Sequence, residues 1–250
     1  MSPRRRPPEL PAPYLRRILP DADKVADWIE YPFSLPLFAA RDFELPIERA
    51  VTILVGENGS GKSTLLEGIA ALAGFDEAGG GNGYRAVDHS RALDEGGVGL
   101  ARALRAHGLP KITRGWFFRA ESFFSVARYL DEAGPGADFL SHSHGEGFLR
   151  FFDERVRQHG FFIIDEPESA LSPSRQIVFL KLLRRMERDF ARQIIMATHS
   201  PILMAYPGAT LLAIDGGQVK PTTVGETEHF RLLKRFFEAP EVFVDEALEG

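Results

Sequence analysis

The sequence predicts an α/β fold with a mostly parallel central sheet flanked by helices, on three observations. Short apolar runs that read as buried strands alternate with longer stretches of helical periodicity. The first strong run, Val51–Val55, passes directly into a glycine-rich turn that opens a helix. A later run, Phe161–Ile164, ends in two adjacent carboxylates, Asp165 and Glu166. Strand–helix alternation favours parallel pairing, because each helix carries the chain back to the same end of the sheet.

The elements follow in order. Residues 1–20 hold Arg4-Arg5-Arg6, Arg16-Arg17 and six prolines, and are expected to form a disordered Pro/Arg-rich tail. Folded structure is expected from Trp28 to Phe43 as short strands. After Val51–Val55, the positions Leu65, Leu66, Ile69, Ala70 and Leu72 share one helical face. Residues 74–99 are glycine-rich with little periodicity, which predicts an irregular lobe. A second strand is read around Trp116-Phe117-Phe118, followed by a helical stretch from Phe123 to Leu130 that Gly134-Pro135-Gly136 interrupts. Phe148, Leu149, Phe152 and Val156 mark another amphipathic helix. Strands are then expected at Phe161–Ile164, Gln193–Ala197 and Thr210–Ile214, with Pro173 opening a long helix between the first two.

The turn reads Gly56-Glu57-Asn58-Gly59-Ser60-Gly61-Lys62-Ser63-Thr64 and fits G-x-x-x-x-G-K-[ST]. Glycines let the backbone wrap closely, so that N–H groups and a helix N-terminus converge on a polyphosphate. Lys62 is placed to reach the β- and γ-phosphates, and the Ser63 hydroxyl to ligate Mg²⁺. The chain is therefore expected to bind a nucleoside triphosphate. Asp165, at the tip of a buried strand, fits the second Mg²⁺ contact. Glu166 would lie beside the γ-phosphate, where a carboxylate can orient and deprotonate water. His199, after the Gln193–Ala197 strand, is expected on the same phosphate-facing edge as a γ-phosphate contact. Ser143 and Gly145 sit in a Ser-x-Gly turn before a helix, a second anion-binding device.

Composition narrows the rest. With 250 residues and 44% apolar content, the chain can bury one core, or a core with a small lobe. No apolar run approaches the roughly 18 residues of a membrane helix, and no signal segment opens the chain, so a cytoplasmic location without membrane insertion is expected. The absence of cysteine excludes disulfides, thiolate metal sites and cysteine nucleophiles. A net charge of −5 leaves DNA binding possible but unsupported by charge.

The whole set of motifs resembles the ATP-binding-cassette ATPase superfamily over about residues 28–215. Gly56–Thr64 matches its Walker A motif. Ser143-His144-Gly145-Glu146 resembles the signature usually written Ser-Gly-Gly-Gln. Asp165-Glu166-Pro167-Glu168 resembles Walker B, and His199 the switch histidine. Ser143 lies 22 residues before Asp165 and His199 lies 34 after it, in the superfamily's order. Within the superfamily the motifs look like small stand-alone AAA family ATPases, kin to chromosome-maintenance, recombination-repair and RecF-like heads. The resemblance implies a single ATPase domain over 21–250, with 74–150 as an inserted lobe that bears the signature. It implies MgATP hydrolysis in a homodimer, each ATP held by Walker A of one subunit and the signature of the other, and an unknown protein partner. Glu121, in Arg119-Ala120-Glu121-Ser122, is the nearest counterpart of the superfamily's Gln-loop contact to Mg²⁺. Tyr31, Phe33 and Phe38 are all candidates to stack on adenine. Two departures stand out: Glu146 replaces the signature Gln, and Ser172 occupies the place of the transporters' D-loop Asp. The resemblance also allows a DNA-repair or phage-defence component, or the nucleotide-binding subunit of a membrane transporter. Glu226-Thr227-Glu228-His229-Phe230 stands out without an assigned role.

Overall fold

Period-2 alternation in the buried strands divides the apolar side chains between two cores. The computed structural model describes residues 11–77, 79–81, 96–108, 114–123, 126–128, 131, 144–157, 159–188 and 192–249. Its strands are β1 (Arg17–Pro20), β2 (Leu45–Pro46), β3 (Val51–Val55), β4 (Leu104–His107), β5 (Gly115–Arg119), β6 (Gly160–Asp165), β7 (Arg192–Ala197), β8 (Ala209–Asp215) and β9 (Gln218–Pro221). Its helices are α1 (Pro36–Ala39), α2 (Lys62–Ala73), α3 (Gly96–Arg102), α4 (His144–Arg155), α5 (Pro173–Arg188), α6 (Pro201–Met204), α7 (Glu228–Glu238) and α8 (Pro240–Glu249). The central sheet has the order β5-β6-β7-β3-β8-β9, and only the β8–β9 pair is antiparallel.

Phe161 and Ile163 face one core, where α2 contributes Leu65, Leu66 and Ile69. Phe162 and Ile164 face the other, filled by Phe148, Phe151 and Phe152 of α4 and Phe179 and Leu183 of α5. The sheet is thus a middle layer, with α2 on one face and α4 and α5 on the opposite one. Strands buried on both faces read as largely apolar runs, which is why β3, β6 and β7 are so plain in the sequence.

The second sheet, β2-β1-β4, is antiparallel and corrects the expected tail. Residues 11–20 are not a solvated leader: Leu15 and Ile18 are fully buried, and Ile18 pairs in register with Ala106 and Leu45. The buried Gln193 side chain accepts hydrogen bonds from the Tyr14 and Leu15 N–H groups and donates to the Leu15 carbonyl. Two apolar side chains and one amide therefore outweigh the local Pro/Arg composition. Residues 1–10 lie outside the described residues.

The expected strands between Trp28 and Phe43 are also corrected. That stretch turns into α1, which starts on Pro36 and buries Leu37 and Phe38 beneath the glycine-rich loop. The stretch 74–150, expected as one inserted lobe, contributes β5 to the central sheet and β4 to the small one. Its α3 lies against α2 at Gly68, where an added Cβ would come within 2.8 Å of Leu100 Cδ2.

Candidate active site

Parallel strands bring their C-terminal ends to one edge of the sheet, and the turns after β3, β6 and β7 carry the polar motifs. In register, Asp165 sits between Arg119 of β5 and Ala197 of β7.

After β3, the chain hugs β8 so closely that a Cβ at Gly56 would lie 2.5 Å from the Ile214 carbonyl oxygen. Glu57, Asn58 and Gly59 form the exposed crest of the loop. Gly61 closes it with φ +97°, a left-handed conformation open to glycine, and Lys62 begins α2. The Lys62 ammonium folds back over the loop, donating to the Gly56 and Glu57 carbonyls at 2.8 and 2.9 Å. Burial pulls its pKa below the ordinary lysine value, while Glu166, Asp165 and Glu57 act in the opposite direction. Ser60 Oγ is buried in the loop without a hydrogen-bond partner among the described residues. A helix N-terminus, a buried ammonium and an orphaned hydroxyl form a concave donor set suited to an oxyanion.

Beneath the loop, Ser63 Oγ donates to Asp165 Oδ1 at 3.2 Å. Burial pushes the Asp165 carboxyl up to about 7, against the opposing pull of Arg119, whose Nε lies 3.8 Å from Oδ2. The Arg119 guanidinium is shared with Glu67 of α2, at 2.7 Å. A hydroxyl and a carboxylate in direct contact are the hard oxygen donors that suit Mg²⁺, and a cation would hold Asp165 ionised. Glu121, expected as a further metal ligand, has an exposed side chain that pairs with Arg119 Nη2 at 3.6 Å.

A stability test follows from the Asp165 carboxyl. Its folded pKa lies above the unfolded value of about 3.9, so its contribution is full below about pH 4 and is lost as pH rises to about 7. In metal-free protein, Asp165→Asn should match the parent's urea midpoint near pH 4 and exceed it at pH 8. Equal midpoints at pH 8 would contradict the buried-carboxyl assignment.

Glu166 adopts a left-handed backbone, φ +46°, which is strained for any residue with a Cβ. Its N–H donates to the Ala197 carbonyl, fixing the turn against the end of β7. His199 Nε2 is 3.4 Å from Glu166 Oε1. Two groups that sequence reasoning did not assign hold this corner. Glu168 accepts the His199 N–H and the Thr198 hydroxyl, and burial raises its own pKa. His229, from the first turn of α7, meets His199 Nδ1 through its Nε2 at 3.0 Å. Burial, then Lys62 and His229, pull the His199 pKa below the ordinary value, which leaves the neutral ring dominant at pH 7. Arg119 and Glu67 were missed as well, although Arg119 directly follows the apolar run of β5.

Among the candidate adenine-stacking rings, Phe38 is buried against Phe43. Phe33 packs edge-on to Trp28, and Tyr31 is half-exposed with its hydroxyl 3.3 Å from Thr64 Oγ1. Ser143 lies outside the described residues. Gly145 is the second residue of α4, where an added Cβ would meet Arg175 Cδ at 2.5 Å and the Ala170 carbonyl at 3.0 Å. Glu146 pairs with Arg175 at 2.8 Å.

The chain is similar to several known proteins. A family model described as an AAA domain matches residues 34–102. Another, whose description names an AbiEii toxin and a Type IV TA system, matches residues 122–205. The thiamine import ATP-binding protein ThiQ of Vibrio parahaemolyticus is 28% identical, covering 70% of this chain and 80% of that protein. The hemin import ATP-binding protein HmuV of Burkholderia thailandensis is 29% identical, covering 68% and 75%. A solved structure of CbiO1 from Clostridium perfringens, part of an ABC transporter complex, covers 83% of this chain and 91% of its own at 19% identity and a TM-score of 0.46. Among the described residues, no helix is long and apolar enough to cross a membrane. With its P-loop, its acidic β6 terminus and the two import ATP-binding proteins as relatives, the chain is an ATPase similar to the AAA-type ATPases of the ATP-binding-cassette superfamily.

Proposed function

We propose that this ATPase hydrolyses MgATP in a head-to-head homodimer in the cytoplasm, and that nucleotide-dependent dimerisation gates a protein partner. The observation that carries the reading is the convergence of Lys62, Ser63, Asp165, Glu166 and His199 at one sheet edge, with Ser63 in contact with Asp165 and His199 beside Glu166. Gly56–Thr64 would cradle the phosphates, with Lys62 over the β- and γ-oxygens. Ser63 and Asp165 would hold Mg²⁺, which when bound neutralises developing charge on those oxygens. Glu166 would take the proton of the attacking water, and His199 would orient the γ-phosphate.

Ser143 and Gly145 would act in trans. In support, α4 packs on the sheet face opposite α2, and its first turn leans on Ala170 and Arg175. Lys62→Ala and Ser143→Arg should each give a nearly inactive homodimer. Mixed one to one, their heterodimer gathers both lesions in one site and leaves the other intact, so activity should return. If Ser143 worked in cis, every site would carry a lesion. A mixture that exchanges subunits in a tag pull-down yet stays inactive would overturn the composite site.

The names of the thiamine and hemin import relatives favour a second reading, the nucleotide-binding subunit of an importer. Against it stands Ser172, exposed at the place of the transporters' D-loop Asp. Co-purification with a membrane protein would select the importer. Turnover stimulated by duplex DNA at stated salt would instead select a repair or defence component.

A further inference from the structure

The unassigned stretch Glu226–Phe230 builds the base of a helix that reaches the active site. Glu226 accepts hydrogen bonds from the Thr223 N–H and hydroxyl, and this capping box closes the turn before α7. Thr227 is buried and caps α7, its hydroxyl accepting the Phe230 N–H. These caps fix His229 in the first helical turn. From there its Nε2 lies 3.0 Å from His199 Nδ1, and its Nδ1 lies 3.6 Å from Glu57 Oε1 in the glycine-rich loop. His199 Nε2, at the other end of the row, is buried, 3.4 Å from Glu166 Oε1 and without a hydrogen-bond partner among the described residues.

We propose that His229 is a positioning residue for ATP hydrolysis: it fixes the ring and tautomer of His199, and it ties α7 to the occupancy of the γ-phosphate site. This rests on the reading of His199 as the γ-phosphate contact. A neutral imidazole has one donor and one acceptor nitrogen. The Glu57 carboxylate favours the proton on His229 Nδ1, which leaves His229 Nε2 as the acceptor. His199 must then donate from Nδ1, so its Nε2, 3.4 Å from Glu166 Oε1, bears a lone pair in the neutral ring and a proton only when the ring is doubly protonated. A lone pair facing an anionic phosphate is repulsive, so docking the γ-phosphate requires a second proton on His199, taken from solvent. The groups around His199 are Lys62 from α2, Glu57 from the loop, Glu166 and Glu168 after β6, and His229 from α7. Lys62 opposes that proton, Glu57 and Glu166 favour it, and the incoming phosphate adds further negative charge. Without an acceptor at His229, His199 can take the Nε2–H tautomer or turn, and the coupling is lost.

Two conservative variants separate this role from simple packing, since His229 is only partly buried and either amide should be tolerated. In His229→Gln the amide oxygen can reach the place of Nε2, whereas in His229→Asn it stops near that of Nδ1. The expected result is a kcat near the parent's for Gln, and a loss of about tenfold for Asn with little change in KM. Calorimetry of a non-hydrolysable ATP analogue with Mg²⁺, in two buffers of different ionisation enthalpy near pH 7.5, should show uptake of about one proton by the parent and the Gln variant, and a reduced uptake by Asn. Equal kcat for both variants and the parent would overturn the proposal, as would equal losses, or an Asn variant with parental proton uptake. The parent reading fails separately: if His199→Ala keeps full turnover, His199 itself is misassigned.

Discussion

Lys62→Ala is expected to abolish productive MgATP binding. The ammonium does not wander in solvent before nucleotide arrives. It is buried and held by the Gly56 and Glu57 carbonyls, at 2.8 and 2.9 Å, over the concave side of the loop. Those two bonds serve as a placeholder, and a polyphosphate would replace neutral carbonyl acceptors with charged ones. Charge-assisted hydrogen bonds are roughly twice as strong as neutral ones, and an anion in a partly desolvated loop without its cation keeps its full desolvation penalty. Loss of affinity by at least about a hundredfold, near 3 kcal/mol, is the expected scale. The fold should survive the loss of the two ammonium bonds, because the turn keeps the Ser60 N–H bond to the Glu57 carbonyl and its close approach to β8. Calorimetric titration with MgATP checks this, and affinity within a few-fold of the parent would sink the phosphate-binding assignment.

What the sequence made legible follows a physical pattern. β3, β6 and β7 are buried on both faces, so they read as largely apolar runs and need no knowledge of partners. The long helix from Pro173 announces itself through its proline and its spaced apolar face. The motifs at the strand ends inherit their position from a parallel sheet, so Asp165, Glu166 and His199 could be gathered before any coordinates. β1 fails the same test. Leu15 and Ile18 are two apolar residues among prolines and arginines, and they are rescued by pairing with residues 104–107 and by the Gln193 amide, partners far along the chain. The pairing of Glu121 with Arg119, two residues earlier, was likewise not legible in the motif. His229 could be noticed but not assigned, because its role depends on a capped turn that delivers it to a loop residue and a strand end.

Glu166→Gln should leave nucleotide binding intact and cut turnover by about a hundredfold or more. Gln matches the shape of Glu and can occupy the same strained turn, so the N–H bond to the Ala197 carbonyl and the neighbouring His199 stay in place. What disappears is a carboxylate able to receive the proton of the attacking water, at the one position between the Asp165 strand end and His199. Lys62, Ser63 and Asp165 are untouched, so the affinity measured for a non-hydrolysable analogue should stay close to the parent's. Because the γ-phosphate would persist, the variant with MgATP should also elute as a dimer by gel filtration under conditions where the parent returns to monomer. The two readouts fail in different ways. Parental turnover would remove Glu166 from the role of base and move attention to His199. Slow turnover without a trapped dimer would keep the base and overturn the nucleotide-bridged assembly.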